Sequence, residues 1–275
     1  MKIIEKFTLG KSKEKLSDDM LFYNDDFVAV IDGVSTKSNF RYQEKSTGRI
    51  ASEIIYKELA KAEKNISFFD LIKNINLEFE KFYKEVNFTD DKELKGIQAV
   101  GVFYSNYQKK IYLVGDCQIL INNKLYSNSK LSDEILSEFR SLVSQIEIKE
   151  KSLKVDEYFK DGDYGRKLIL PWILKSTIFA NDANTRYGYA VFNGKEIPKQ
   201  LIKEYSVQLG DEIVLASDGY PKLFNSLEKS ENYLIDLLNK DSYLINEFTS
   251  TKGVDKDNLS FDDRTYIKFI VWFYL

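Results

Sequence analysis

The sequence predicts an α+β fold in which antiparallel strands are covered by helices. Connections between several predicted strands are too short to carry a parallel crossover, so the strands should pair antiparallel. Helical segments each carry one apolar stripe, and such a stripe needs a sheet or another helix to cover it. Hydrophobic residues form 43% of the 275-residue chain, which supports one substantial core. We therefore interpret residues 1–275 as a single domain.

The N-terminal region alternates strands and turns. We expect an edge strand over Met1–Phe7 and then a hairpin of Met20–Tyr23 and Phe27–Ile31, joined by the turn-forming segment Asn24–Asp26. The second hairpin strand ends abruptly in Asp32 followed by a glycine.

Two amphipathic helices follow this hairpin. Apolar residues recur at helical spacing from Ile50 to Leu59 and again from Phe68 to Tyr83, and Ser67 is placed to cap the second helix. Both stripes should face the core.

The middle of the chain predicts more antiparallel strands, over Ala99–Tyr104, Lys110–Val114, Cys117–Ile121 and Lys124–Tyr126, all joined by links of hairpin length. A third apolar stripe from Ile135 to Ile146 predicts another helix. Residues 152–179 are interpreted as an inserted helical flap of two pieces, broken at Asp161-Gly162-Asp163.

The C-terminal part combines strands with short helices. In chain order we expect a strand, a hairpin, two short helices and a closing strand: Tyr187–Phe192, Ile202–Val207 with Glu212–Ser217, Pro221–Phe224, Tyr233–Leu238 and Thr265–Leu275.

Composition removes several classes of chemistry. The chain has no histidine, which excludes Ser-His-Asp and Cys-His catalysis, and a single cysteine excludes a multi-cysteine zinc site. A net charge of -3 offers no global field for nucleic acid or an anionic membrane. No signal-peptide pattern and no long apolar span occur in the sequence. We expect a cytoplasmic protein whose chemistry depends on oxygen ligands and hard cations such as Mg²⁺ or Mn²⁺.

Acidic residues stand beside the apolar strands. Asp32 ends the run FVAVIDG and Asp218 ends the similar run IVLASDG, while Asp18-Asp19, Asp116 and Asp262 lie next to other strands. If the strands form facing sheets, these carboxylates converge, and their mutual repulsion would be relieved by two divalent cations. A binuclear metal site is the hypothesis that follows.

The order of these motifs resembles the metal-dependent protein phosphatase 2C family. That family has Glu-Asp early, Asp-Gly at a strand end, Gly-Asp-Ser in mid-chain, Ala-Ser-Asp-Gly later and Asp-Asn-x-Thr before the last strand. The corresponding segments here are Asp18-Asp19, Asp32-Gly33, Gly115-Asp116-Cys117, Ala216–Gly219 and Asp262–Thr265. The resemblance spans nearly the whole chain.

The resemblance implies a four-layer α-β-β-α sandwich with a Mg²⁺ or Mn²⁺ pair at one end. It assigns the bridge between the ions to Asp32, assistance to the Gly33 carbonyl, and the other ion to Asp218 and Asp262, so Asp32, Asp218 and Asp262 are the expected catalytic residues. These assignments are what the family pattern implies.

The remaining acidic positions have implied roles as well. Asp18 would approach the second ion through water, Asp19 would support it, and Asp116 matches an aspartate associated in some members with a third, looser ion.

This chain departs from the family in its basic residues. The position of the family's phosphate-binding arginine is Glu14 here, so Lys13 or Lys15 is the candidate for the substrate phosphate, together with Lys37. The histidine proposed as proton donor in the family is absent, so Lys37, metal-bound water or another acid would have to protonate the leaving group.

The function that the resemblance implies is hydrolysis of phosphoserine or phosphothreonine in proteins, by water activated at two metal ions. A catalytically impaired binding or regulatory module is the alternative from another class, and hydrolysis of a small phosphorylated metabolite is a third interpretation. We expect no nucleic-acid partner and no membrane partner.

Overall fold

Two facing antiparallel sheets form the centre of the protein. The computed structural model describes residues 1–34 and 38–272, apart from the side chains of residues 93 and 94. The strands are β1 (Lys2–Leu9), β2 (Met20–Tyr23), β3 (Phe27–Gly33), β4 (Ala99–Ser105), β5 (Lys110–Val114), β6 (Gln118–Ile121), β7 (Lys124–Ser127), β8 (Lys203–Ser206), β9 (Glu212–Ala216) and β10 (Arg264–Ile270). Within the described residues the first sheet has the order β1-β10-β9-β6-β7 and the second has the order β2-β3-β4-β5-β8.

Helices cover the sheets on their outer sides. They are α1 (Thr47–Lys61), α2 (Phe68–Glu85), α3 (Lys92–Lys95), α4 (Leu131–Glu150), α5 (Val155–Phe159), α6 (Tyr164–Lys175) and α7 (Leu227–Lys240), with 3₁₀ turns at Ser176–Phe179 and Lys199–Leu201. The predicted α+β sandwich is therefore confirmed, and Ser67 caps α2 as expected, accepting from the Asp70 N–H. In the described part of the chain, no helix is long and apolar enough to cross a membrane.

Strand β3 is apolar along nearly its whole length because both of its faces are buried. Val28 and Val30 pack between the two sheets. Ala29 and Ile31 point the other way, into the core under α1 and α2, where they join Phe79. Successive side chains of a strand point to opposite faces, so a strand covered on both sides needs apolar residues throughout. This packing fixes the strand that carries Asp32.

The predicted hairpin of β8 and β9 is wrong, and β5 and β6 do not pair although their link has hairpin length, because each of these connections crosses from one sheet to the other. β5 belongs to the second sheet and β6 to the first, so the chain changes sheets at Gly115, whose φ is +87°. β8 and β9 are likewise in different sheets, with Gly210 in the connection at φ +86°. A short link excludes a parallel crossover within one sheet, but it is long enough to span the ~10 Å between packed sheets.

Three further differences concern shorter segments. Tyr187–Phe192 forms isolated bridges at Tyr189 and Phe192 instead of a continuous strand. Pro221–Phe224 is not helical, whereas the predicted helix Tyr233–Leu238 lies within the longer helix α7. The predicted final strand ends at Ile270, while its last residues, 273–275, lie outside the described part of the chain.

Helix α4 turns its polar side inward. Its apolar stripe of Ile135, Phe139, Leu142 and Ile146 is 45–56% exposed. The guanidinium of Arg140, which is fully buried, instead donates to Asp163 (2.7 Å) and to the carbonyls of Tyr243 and Ser250 (2.8 Å each). A buried guanidinium needs this full set of acceptors.

The segment after α4 contains one helix on each side of Asp161–Asp163, α5 before it and α6 after it, and the sequence predicted a break there. Asp163 caps α6 by accepting from the Arg166 N–H. Helix α6 packs closely on α4, since a Cβ on Gly165 would lie 2.9 Å from Ser144 Oγ. That residues 152–179 are an insert stays a prediction.

Candidate functional site

Three acidic residues lie at one edge of the second sheet. Asp32, near the end of β3, is opposite Val100 at the start of β4. Val114, the last residue of β5, is opposite Gly101, so Asp116 follows at the same edge. Met20, the first residue of β2, is opposite Ile31, which places Asp19 there as well.

The first sheet presents its own acidic residues at the same end of the sandwich. Ala216, the last residue of β9, is paired with Tyr266 of β10 and with Gln118 of β6. Asp218 therefore lies just beyond β9, and Asp262 lies just before β10. The corner at Gly115 joins β5 to β6 at this end, so both sheet edges adjoin Asp116.

The glycine that follows each strand-end aspartate is required by close packing of the backbone. A Cβ on Gly33 would lie 2.5 Å from the carbonyl oxygens of Asp18 and Gly48, and a Cβ on Gly219 would lie 2.0 Å from the carbonyl oxygen of Asp263. Real side-chain carbons do not approach so closely, so any other residue would push the neighbouring segments apart. The glycine of each Asp-Gly pair thus allows the neighbouring acidic segments to pack closely.

Four of the carboxyl groups interact electrostatically across the two sheets. Burial, followed by the charges of Asp116 and Asp262, raises the pKa of Asp218 to about 7. Burial, followed by Asp133, raises the pKa of Asp116 to about 6. Burial, followed by the charge of Asp19, raises the pKa of Asp32 well above its ordinary value. These carboxyl groups therefore favour a proton or a cation among them.

Asp19 is the most deeply buried member of the cluster. It is 2% exposed, and its Oδ2 atom has no hydrogen-bond partner in the described structure. Burial, followed by the charge of Asp263, raises its pKa well above the ordinary value. An orphaned buried carboxylate oxygen is costly unless something binds it. Asp19 therefore has the capacity to bind a cation.

Asp262 is in the opposite electrostatic situation. Lys11 Nζ lies 2.8 Å from its Oδ1 atom and Lys252 Nζ lies 2.5 Å from its Oδ2 atom. Although burial raises the pKa of Asp262, the charges of Lys252 and Lys11 outweigh burial and hold it far below the ordinary value. This carboxylate is already neutralised by cations of the chain itself.

Asp263 holds the N-terminal loop against the site. The backbone N–H of Lys11 donates to its Oδ1 atom and that of Asp18 donates to its Oδ2 atom, each at 2.7 Å. The carboxylate is 6% exposed. Charge-assisted bonds to backbone donors are among the stronger hydrogen bonds in proteins.

Asp18 faces helix α1. Ser46, the residue that caps this helix, donates a short hydrogen bond to Asp18 Oδ1, and Ser52 Oγ donates to the Asp18 carbonyl (2.6 Å). Of the early acidic pair, Asp19 is the residue that carries an unsatisfied oxygen. Both residues are aspartates with side chains of equal length, so the sequence alone does not show which of them has the unsatisfied oxygen.

The basic residues at the site differ from those that the sequence indicated. Lys13 and Lys15 are exposed, and Lys37 lies outside the described residues. Lys11 and Lys252, which contact Asp262, were missed. Lys11 lies in the same basic loop as the two candidates, so that loop was the available signal, whereas the turn containing Lys252 offered none.

Two residues beside Asp116 have structural roles. Cys117 is fully buried, and burial raises the pKa of its thiol well above the ordinary value, so it is not an activated nucleophile. Gln118 Nε2 donates to the carbonyl of Tyr220 (2.6 Å), which ties β6 to the segment after Asp218.

The cluster has the ligand types of a divalent-cation site, but its side chains are not arranged to coordinate an ion. Its donors are carboxylate oxygens, which Mg²⁺ and Mn²⁺ prefer, and Asp19 offers an unpartnered oxygen. Within residues 1–34 and 38–272, however, no group of three or more acidic or cysteine side chains is arranged to hold a metal ion as it stands. Asp262 is oriented toward its lysines. The residues fit a cation on the side of Asp19, Asp32, Asp116 and Asp218.

Comparison with known proteins gives a likeness in fold. Neither a family model nor a curated protein matches the sequence. Among solved structures, the serine/threonine phosphatase PstP/Ppp of Mycobacterium tuberculosis is similar with a TM-score of 0.50 at 12% identity, over 98% of this chain and 100% of that chain.

Two further solved structures are similar over nearly the whole chain. The catalytic domain of PstP in complex with two manganese ions has a TM-score of 0.49 at 12% identity, over 98% of this chain and 99% of that chain. A bacterial serine phosphatase has a TM-score of 0.48 at 15% identity, over 98% of both chains. The likeness to PstP/Ppp confirms the family resemblance at the level of the fold: the chain has the fold of the PPM-type serine/threonine phosphatases.

Proposed function

We propose that this protein is a metal-dependent phosphomonoester hydrolase that acts on phosphoserine or phosphothreonine in proteins. The observation that carries the proposal is the convergence of Asp19, Asp32, Asp116, Asp218 and Asp262 from separate segments at one end of the sandwich. The fold supports it, because a structure with the same fold is a serine/threonine phosphatase.

The residues that would hold divalent cations are those carboxylates that lack a lysine partner of their own. Asp32 and Asp218 are central, since Asp32 interacts electrostatically with Asp19 and Asp218 and, more weakly, with Asp262 and Asp116. The Gly33 carbonyl stays a proposed ligand, and Asp18 a proposed outer contact. When bound, such cations supply an activated water and charge for the phosphoryl oxygens. Magnesium and manganese both suit these oxygen donors.

The chain's own cations would orient the substrate. Lys11 and Lys252 hold their ammonium groups at the rim of the acidic cluster, half-buried and fixed by Asp262. An ammonium at this position attracts a phosphate dianion that approaches the carboxylates. Lys13, Lys15 and Lys37 stay proposed contacts of the substrate phosphate, and the proton donor stays open between metal-bound water, Lys37 and another acid.

A binding module without turnover is the second candidate. The observation that favours it is the pairing of Asp262 with two lysines, because a carboxylate in such a pair is not free to serve as a ligand. Such a module would hold a phosphorylated partner and release it unchanged.

Hydrolysis of p-nitrophenyl phosphate with Mn²⁺, and with EDTA in excess, tests the proposal. We expect turnover that EDTA abolishes. Asp32→Asn and Asp218→Asn should each lower kcat/KM by ~10³-fold or more, since each removes several kcal/mol of charge stabilisation. Asp257→Asn, which changes an exposed aspartate, is the matched control and should retain full activity.

Substrate class is tested in the same assay. Phosphoserine and phosphothreonine peptides should compete with the aryl phosphate at lower concentration than sugar phosphates do. The reverse order would favour a small metabolite as substrate. Binding of phosphopeptides with no turnover would contradict hydrolysis and favour the binding module.

A further inference from the structure

Lys11 and Lys252 form a clamp on Asp262, which we call the lysine clamp. Their Nζ atoms contact different oxygens of the carboxylate, at 2.8 Å and 2.5 Å, and Lys11 Nζ also lies 3.8 Å from Asp263 Oδ1. The two lysine side chains are 24% and 31% exposed, so neither is an ordinary solvated surface lysine. Both oxygens of Asp262 are therefore occupied by ammonium groups.

The backbone around Lys11 holds the clamp in place. The Lys11 N–H donates to Asp263 Oδ1 (2.7 Å), and its carbonyl accepts from the Leu259 N–H (2.7 Å). The next residue, Ser12, forms an antiparallel bridge with Asn258. The loop of Lys11 is thus bonded on both sides to the segment that precedes β10. The side chain starts from a fixed point beside Asp262.

Charge is divided unequally across the cluster. Asp262 and Asp263 face two ammonium groups, so their negative charges are balanced. On the other side, Asp19, Asp32, Asp116 and Asp218 are four carboxyl groups, and the charges of Lys130 on Asp116 and of Lys252 on Asp218 offset them only in part. A divalent ion therefore relieves more repulsion on the second side than on the first.

A divalent ion bound by Asp262 would have to displace an ammonium group or share a carboxylate oxygen with one. It would also lie within a few ångströms of two ammonium groups, one of which extends from a backbone that is bonded in place beside Asp262 and Asp263. Like charges at such distances repel strongly in a half-buried site. Binding on the side of Asp32 and Asp218 avoids this repulsion.

We infer that the lysine clamp takes the place of one divalent cation, so that the chain binds a single divalent ion, on the side of Asp32 and Asp218. The inference rests on the proposed function, because it assumes that the acidic cluster binds a divalent ion at all. It assigns Lys11 and Lys252 as built-in cations of the site.

Counting bound Mn²⁺ tests the inference without any measurement of turnover. Isothermal titration calorimetry, together with electron paramagnetic resonance of free Mn²⁺, should give one ion per wild-type chain. The double variant Lys11→Met/Lys252→Met should bind two ions, because Asp262 is released as a ligand. Lys110→Met is the matched control: it removes a lysine paired with Glu204 far from the cluster and should leave the count at one.

Each outcome is decisive. Two ions in the wild-type chain, or one ion in a folded double variant, overturn the inference and leave the proposed function intact. No bound ion in the wild-type chain overturns the proposed function itself. Asp262→Asn gives a second test should the double variant fail to fold: it should still bind one ion with a Kd within about threefold of wild type. Loss of that ion would overturn the inference.

Discussion

The acidic cluster has two sides that solve the same electrostatic problem differently. Asp262 and Asp263 have the lysine clamp and backbone N–H donors as partners. Asp19, Asp32, Asp116 and Asp218 are crowded together, and their pKa values are raised. The same residue type therefore stabilises the fold on the first side and strains it on the second. The strained side therefore has more free energy to gain from a cation.

Asp263→Ala should lower the free energy of unfolding more than any other variant considered for the two sides. It leaves the N–H groups of Lys11 and Asp18 without their acceptor and removes a charge next to the clamp. Breaking a buried charged group's bonds costs ~3–5 kcal/mol of unfolding free energy. Urea unfolding at neutral pH measures it, with Asp257→Ala as an exposed control. A change below about 1 kcal/mol would show that the first side is not a structural anchor.

Asp218→Asn should increase the free energy of unfolding when divalent ions are absent, whereas Asp263→Ala should decrease it. The pKa of Asp218 is raised to about 7 from its ordinary 3.8, so its favourable contribution is fully present below pH 3.8 and is lost as the pH rises through about 7. Wild-type stability in EDTA should therefore decrease between pH 4 and pH 7. At pH 8 the asparagine variant should be more stable by ~1–3 kcal/mol, after allowance for solvent screening.

Urea unfolding across this pH range measures both predictions. A stability profile in EDTA that rises steadily from pH 4 to pH 8, with the variant less stable throughout, would contradict the strain on the second side. Added Mn²⁺ should reverse the order of the two proteins, since only the wild type keeps the ligand.

Asp262→Asn should destabilise the chain by a smaller amount. Because its pKa is held low by the clamp, Asp262 contributes stability above pH 3.8 that is lost as the pH falls through its folded-state value. The pair is partly exposed, so the loss at pH 7 should be ~1–2 kcal/mol and should shrink in 1 M salt. An equal loss in low and high salt would assign the effect to packing instead of charge.

Lys130→Met should give the smallest change. Lys130 Nζ lies 3.2 Å from Asp133 Oδ1, and the charge of Lys130 lowers the pKa of Asp116 against the effect of burial. Without this lysine the pKa of Asp116 should rise above about 6 by ~0.5 or more. NMR titration of the side-chain carboxyl groups measures the pKa of Asp116. An unchanged pKa would show that Lys130 does not stabilise the Asp116 carboxylate.

The strand-end carboxylates were accessible to sequence reasoning, whereas the partners of the strands were not. An apolar run that stops at Asp32 or Asp218 marks a buried strand and its end whatever the topology. A hairpin and a corner between sheets both need only a short link, so the positions of β6 and β9 depended on packing across the whole core. The buried face of α4 could not be predicted for a related reason. Its polar face is inward because Arg140 donates to carbonyl groups more than 100 residues away in the chain.

The lysine clamp could not be predicted for a physical reason. A lysine side chain is long and flexible, and which carboxylate it reaches depends on where two distant loops meet. Lys11 meets Asp262 because Asp263 fixes the Lys11 backbone, and that contact joins residues 252 positions apart. The basic loop indicates that a lysine is near the site, but no local pattern indicates which carboxylate that lysine contacts.

The bonds of Asp263 also determine when the site can exist during folding. They join positions 245 and 252 residues apart, and β10, which follows directly, is the strand that pairs with β1. Closing so long a loop carries a large entropic cost and is repaid only after both sheets have formed. The contacts of Asp263 with Lys11 and Asp18 should therefore form late in folding, and the lysine clamp on Asp262 with them.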